Sequence, residues 1–219
     1  VNLANIKELR IEFQQKGDVH VDDIRIVPHH HHFGREASTS THQVTALPFV
    51  LGEGRESWWG INPVESDHFL FADPPVGWEG SETVVADVQL EGEKPWDSFG
   101  FGAHHWLLVD VMEYHTASAI QFRIRAESPP KLRMALFAYR GSKRRIQTTL
   151  DEDNFQNVAP GEWAVRVPIK SIRGHEEVDW TALKEVRFQV LENARFTAGD
   201  FELAEFRGNP DKPFKWKGG

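Results

Sequence analysis

Arginine and glutamine recur at every second position in two stretches of the chain, Gln121-Phe122-Arg123-Ile124-Arg125 and Arg187-Phe188-Gln189. A planar guanidinium or amide can engage two oxygens at once, so such a row can grip hydroxyl or carboxylate groups in a fork. The chain also holds 8 Trp. An indole offers a flat apolar face with a polar N–H at its edge, the shape that covers one side of a pyranose ring. Trp58 and Trp59 are adjacent, so on a strand one faces inward and the other outward. Trp78 stands in Gly77-Trp78-Glu79-Gly80, while Trp106 and Tyr139 fall in strand-like segments. The candidate carbohydrate-contacting residues are therefore Trp58, Trp59, Trp78, Trp106, Gln121, Arg123, Arg125, Tyr139, Arg187 and Gln189. A plain solvated sheet face is the competing reading, although Lys and Glu would serve that purpose equally well.

Catalytic chemistry finds little support. Glycoside hydrolysis needs two carboxyl groups facing each other across a cleft. The densest acidic run, Asp151-Glu152-Asp153, reads as a loop. No G-x-S-x-G elbow, H-E-x-x-H helix or Gly-rich phosphate loop is present. His104 and His105 could supply acid–base chemistry, but neighbours on a strand point to opposite faces, so at most one serves a given site. A hydrogen-bonded strand histidine is the plainer reading. No catalytic residue is assigned.

Composition narrows the classes further. The formal net charge of −8 argues against a general nucleic-acid binder and against a polybasic membrane-surface protein. The absence of cysteine excludes disulfides and thiolate metal sites. No apolar run approaches the roughly 20 residues of a membrane span. The chain opens on Val1 with no visible signal peptide, which reads as a mature form or a piece of a larger protein.

The elements that position these residues are strands. Val84, Ala86, Val88 and Leu90 alternate with polar or smaller residues, as do Ile120, Phe122 and Ile124, and Val186, Phe188 and Val190. This period of two marks half-buried antiparallel strands. Further strands are expected near residues 45–51, 57–61, 68–72, 101–109, 132–139, 163–168 and 195–206, separated by Gly- and Pro-rich turns. Helical periodicity is weak throughout. The fold class expected is all-β, an antiparallel β-sandwich of jelly-roll type, with Ile120, Phe122, Ile124, Val186, Phe188 and Val190 in its core. Arg123, Arg125, Arg187 and Gln189 are expected to share one sheet surface, with Gln121 alongside and one of the tryptophans close by.

Residues 6–11 resemble residues 183–188 at an offset of 177, and Asp23-Ile24-Arg25-Ile26 falls at the same offset from Asp200-Phe201-Glu202-Leu203. Residues 1–27 thus read as the closing β-hairpin of a preceding repeat, or as swapped strands. Residues 28–40 form a linker whose His29–His32 run is a metal-binding tract, a remnant of a purification tag or a solvated spacer. Residues 41–208 are the sandwich and 209–219 a tail.

Trp163-Ala164-Val165-Arg166-Val167-Pro168, then Leu183-Lys184-Glu185-Val186-Arg187-Phe188, then Asp200-Phe201-Glu202-Leu203 resemble the last third of carbohydrate-binding-module jelly rolls. The pattern, spread over residues of about 80–206, is also similar to the galactose-binding-like C-terminal domain of family 3 exo-β-glucanases. The resemblance implies a non-catalytic carbohydrate-binding or accessory domain of a glycoside hydrolase, with a polysaccharide or oligosaccharide of β-glucan type as its partner. It also implies an extracytoplasmic location and catalytic carboxylates carried by another domain. In that superfamily a closing-strand Asp often helps hold a structural calcium ion, which would assign Asp200 and its repeat mate Asp23 as ligands. Two alternatives are a structural module bracing a catalytic domain or dimer, and a small jelly-roll polysaccharide lyase.

Overall fold

Alternating apolar residues build two sheets that close on each other. The computed structural model describes residues 42–61, 67–78, 82–90, 95–102 and 109–206. In chain order the strands are β1 (His42–Gln43), β2 (Phe49–Val50), β3 (Trp58–Trp59), β4 (Phe69–Ala72), β5 (Thr83–Val88), β6 (Asp97–Phe101) and β7 (Val109–Asp110). They continue as β8 (Ser118–Arg125), β9 (Leu132–Ala138), β10 (Arg145–Thr149), β11 (Phe155–Ala159), β12 (Glu162–Pro168), β13 (Leu183–Val190) and β14 (Ala194–Glu205). Among the described residues the helical pieces are three-residue 3-10 turns. None is long and apolar enough to cross a membrane.

The first sheet runs β10-β9-β13-β6-β3, with β7 and β1 continuing beside the start of β13. The second runs β11-β12-β8-β14-β5-β4, and β2 pairs the far half of β14. Pairing is antiparallel except between β1 and β7. The fold is an antiparallel β-sandwich, as the alternation predicts. The six expected core residues are all buried to within 1% exposure.

Phenylalanines fill the space between the sheets. Phe122 of β8 stacks on Phe201 of β14 at 5.2 Å, and Phe188 of β13 meets Phe99 of β6 at 5.4 Å. Phe122 and Phe188 join the two layers at 5.0 Å. Each such ring contributes about 1.5–3 kcal/mol through burial, and edge or offset contacts add to that.

The strand β14 carries an irregularity that alternation hides. Its register against β8 shifts between Gly199 and Glu202, and Asp200 takes a left-handed backbone with φ 55°. The extra residue of this bulge turns Phe201 and Leu203 back into the core after Phe196 and Ala198. Residues 1–27, the His29–His32 run and the tail beyond 208 lie outside the described residues, as do His104, His105, Trp106 and Asp23.

Candidate functional site

The arginines and glutamines picked out by alternation do face outward, but from opposite sides of the sandwich. Gln121, Arg123 and Arg125 stand on β8 in the second sheet, whereas Arg187 and Gln189 stand on β13 in the first. The expectation of a single shared surface is therefore wrong. The two strands are alike in pattern, and pattern does not tell which sheet a strand joins.

On the outer face of the second sheet the charged and amide side chains engage one another, although Thr83 Oγ1, beside Gly199 and Trp78, is buried without a hydrogen-bond partner among the described residues. Gln121 is buried; its Oε1 accepts from Arg166 Nε at 2.8 Å and Nη2 at 2.6 Å, and its Nε2 donates to Glu202 at 2.6 Å. Burial lifts the Glu202 carboxyl above its ordinary value near 4.5, against the opposing pull of the Gln121 hydrogen bond and the Arg166 and Arg123 charges. The same burial lowers the Arg166 pKa, opposed by the Glu202 charge. Arg123 lies 3.4 Å from the Asp200 carboxylate and 3.6 Å from that of Glu162, and donates to the Gly77 carbonyl at 3.0 Å. Arg125 pairs with Glu162 at 3.3 Å. Trp78 lies over this face, its indole N–H donating to Glu162 at 3.2 Å. Its ring rests on Gly199, where a Cβ would come within 2.9 Å of it. Trp78 is thus buried rather than displayed on a loop.

Asp200, the residue that the family resemblance offers to calcium, is engaged by Arg123. The Asp200 carboxylate faces a guanidinium, and among the described residues no three His, Cys, Asp or Glu side chains gather to hold a metal.

The first sheet presents a different face. Register places its outward residues in rows. Gln189 of β13 stands between Ser98 of β6 and Arg133 of β9, with Thr149 of β10 beyond. In the next row Arg187 stands between Gly100 and Ala135, with Trp59 of β3 beyond one and Gln147 beyond the other. The third row holds Glu185, Phe137 and Arg145. Successive rows are about 7 Å apart, the length of two strand residues.

The small residues Gly100 and Ala135 keep the floor low beside Arg187. A Cβ on Gly100 would meet the Trp59 ring at 3.0 Å, so glycine lets that indole lie down on the sheet. The Arg187 guanidinium is held between two rings, 4.7 Å from Trp59 and 4.7 Å from Phe137. Glu185, itself buried, accepts from Arg187 at 2.8 and 2.7 Å and fixes the fork. Arg145 lies 5.3 Å from the centre of the Phe137 ring and donates to Gln147 at 2.6 Å. Beside this stack runs a groove of about 520 Å³ lined by Trp96, Arg133, Arg145, Gln147, Arg187 and Gln189.

Among the described residues two polar atoms on this face are buried without a hydrogen-bond partner, Gln189 Oε1 and Trp59 Nε1. One is an acceptor and the other a donor. A buried polar atom left unpaired costs about 1–3 kcal/mol, so native proteins keep few of them.

Of the candidates, Trp59, Arg187 and Gln189 meet on this face. Trp58 is in the core, donating to the Gly52 carbonyl at 2.7 Å. Tyr139 follows β9, half-buried, outside the residues that line the groove. Sequence reasoning missed Arg133, Phe137, Arg145, Gln147 and Glu185. The signal for Arg133 and Phe137 was present, since Leu132, Met134 and Leu136 point into the core and leave the odd positions outside.

Comparison with known proteins adds the following. No family model matches the chain, and no curated protein matches it. Among solved structures it is similar to a family 30 carbohydrate-binding module at 18% identity, covering 76% of this chain and 87% of that one with a TM-score of 0.48. The family 30 module of a cellulosomal cellulase of Clostridium thermocellum matches at 17% identity, 72% and 91% coverage and a TM-score of 0.46. A family 11 carbohydrate-binding module from the same organism, solved with a β-1,3-1,4-mixed-linked tetrasaccharide, matches at 11% identity, 74% and 96% coverage and a TM-score of 0.42.

Proposed function

We propose that this chain is a non-catalytic carbohydrate-binding module that holds a polysaccharide or oligosaccharide on the outer face of its first sheet. One observation carries the reading: Gln189 Oε1 and Trp59 Nε1 are a buried acceptor and a buried donor without protein partners, on the face that holds an open groove. A sugar hydroxyl both donates and accepts, so one chain of sugars can answer both atoms once small side-chain rotations expose them. Trp96, 38% exposed at the groove, and the half-buried Trp59 supply rings for the apolar side of a pyranose. The groove is lined by Arg, Gln and Trp, groups that position a ligand rather than move a proton near neutral pH.

A β-glucan chain meets the stacking and hydroxyl requirements and is the reference neutral ligand. Attachment to a glycoside hydrolase catalytic domain would give such a module its use, by raising the enzyme's local concentration on the polymer. Structural β-glucans lie outside the cytoplasm, so a β-glucan ligand brings an extracytoplasmic location with it. Affinity is expected to be weak, because contacts in an open groove largely replace contacts with water.

Affinity electrophoresis of the full chain through gels holding different soluble polysaccharides tests the proposal. Retardation by at least one glycan is expected, weakened by Trp59→Ala and untouched by Arg125→Ala on the opposite face. Retardation that Trp59→Ala leaves unchanged would contradict the assignment of the face.

A further inference from the structure

The arginines of the two outer faces differ in their company. On the second sheet Arg123, Arg125 and Arg166 all face carboxylates, namely Asp200, Glu162 and Glu202. On the first sheet, among the described residues, Arg187 alone has one, Glu185. Arg145 bonds to the neutral amide of Gln147, and Arg133, in line with Gln189 across the strands, meets no carboxylate among the described residues. Three guanidinium groups thus line one groove, and among the described residues one of them, Arg187, meets an acid, in a chain whose net charge is −8.

A solvated face needs no such arrangement. Guanidinium forks match the geometry of carboxylate and sulfate oxygens, and positive charge collected in a groove on an acidic protein draws anions to that place alone. Gln189, 97% buried with its Oε1 unpaired beside Arg133 and Arg187, adds an acceptor that a simple anion cannot use and a sugar hydroxyl can.

We infer that the glycan held on this face is acidic, a chain carrying uronate carboxylates or sulfate esters among its hydroxyls. The inference rests on the glycan-binding reading above and names its substrate class. Arg133 and Arg145 take the acidic groups, Gln189 takes a hydroxyl, and Arg187, fixed between Trp59 and Phe137, carries the ring contact along the row.

The test is calorimetry of the full chain against polygalacturonate, alginate, a sulfated galactan and a neutral mixed-linked β-glucan. Wild type is compared with Arg133→Gln/Arg145→Gln and with Arg195→Ala, which removes an exposed arginine of the second sheet. At least one acidic polymer should bind about tenfold or more tightly than the neutral glucan. Which one it is separates carboxylate from sulfate. The double variant should lose that advantage while its melting temperature holds, since neither arginine has an acidic partner among the described residues to orphan. Raising the salt from about 0.1 M to 1 M, which shortens the Debye length from about 10 to 3 Å, should weaken acidic binding and spare neutral binding. Equal or tighter binding of the neutral glucan would overturn the acidic class and leave the glycan reading standing. Binding of no polymer would overturn both, and equal losses in Arg195→Ala would overturn the groove as the site.

Discussion

Gln121 and Gln189 are the same side chain at nearly the same depth, 4% and 3% exposed, on opposite outer faces of one sandwich. Gln121 spends both ends of its amide on Arg166 and Glu202. Gln189 leaves its carbonyl oxygen unpaired. The tryptophans repeat the contrast. Trp78 and Trp59 each lie on a glycine, Gly199 and Gly100, but the indole N–H of the first donates to Glu162 and that of the second donates to nothing among the described residues. Residue type therefore does not separate a structural face from a binding face. The account of partners does. The second face leaves the Thr83 hydroxyl unpaired but spends its amide, indole and charged groups on one another, whereas the first leaves an amide oxygen and an indole N–H unpaired, a cost to stability that a ligand can offset.

Mutations on the two faces should act differently. The largest effect is expected from Gln121→Leu, which strips Arg166 and Glu202 of their shared partner while both stay partly buried. A loss of about 2–3 kcal/mol should follow, or roughly 6–10 °C in melting temperature for a domain of this size, with glycan affinity unchanged. Next comes Trp59→Phe, which keeps a ring on Gly100 but removes the N–H. Affinity should fall about fivefold, or about 1 kcal/mol, with the melting curve unmoved. Arg125→Ala removes a half-exposed pair with Glu162 and should change stability by less than about 1 kcal/mol and affinity not at all.

The smallest effect concerns pH. Burial raises the Glu202 carboxyl above its ordinary value near 4.5, so the folded protein holds this proton more tightly than the unfolded chain. Its stabilising contribution is complete below that ordinary value and is lost as pH rises through the raised one. Glu202→Gln should flatten this part of the profile. The check is the difference between wild-type and variant unfolding free energies from pH 4 to 7, which should narrow in the variant's favour as pH rises. Asp179 works the other way: burial would raise its pKa, but hydrogen bonds from Thr181 and Arg140 and the Arg140 charge outweigh it and lower the value. Its contribution is present above the ordinary Asp value and lost as pH falls below it, and it cancels in the same difference.

The core was legible because Ile120-Phe122-Ile124 and Val186-Phe188-Val190 alternate cleanly and burial on one face leaves no other register. β10 was not, since Ile146 is its one buried residue and Arg145–Thr149 otherwise offers no apolar period to count. The bulge at Gly199–Asp200 was also hidden. It reverses the alternation of β14 midway, and nothing local marks Asp200 for a left-handed backbone. The site was half legible. Trp59, Arg187 and Gln189 follow from alternation on their own strands, but their separation from Arg123 and Arg125 depends on β13 pairing with β6 and β9 while β8 pairs with β12 and β14. Such pairings join residues far apart in the chain, and a strand's own pattern does not specify its neighbours. Unpaired atoms are further still from sequence, because they are defined by what every surrounding residue fails to supply.

The most direct measurement is the thermal stability of Gln189→Leu beside Gln121→Leu, each with its glycan affinity. If Gln189 is kept for a ligand, replacing it with an apolar side chain of similar size removes an unpaired buried acceptor. The melting temperature should then hold or rise by a few degrees, about 1 kcal/mol, while affinity falls about tenfold. A drop in melting temperature matching that of Gln121→Leu, with binding intact, would show that Gln189 braces the sheet and that the two faces do not differ as argued.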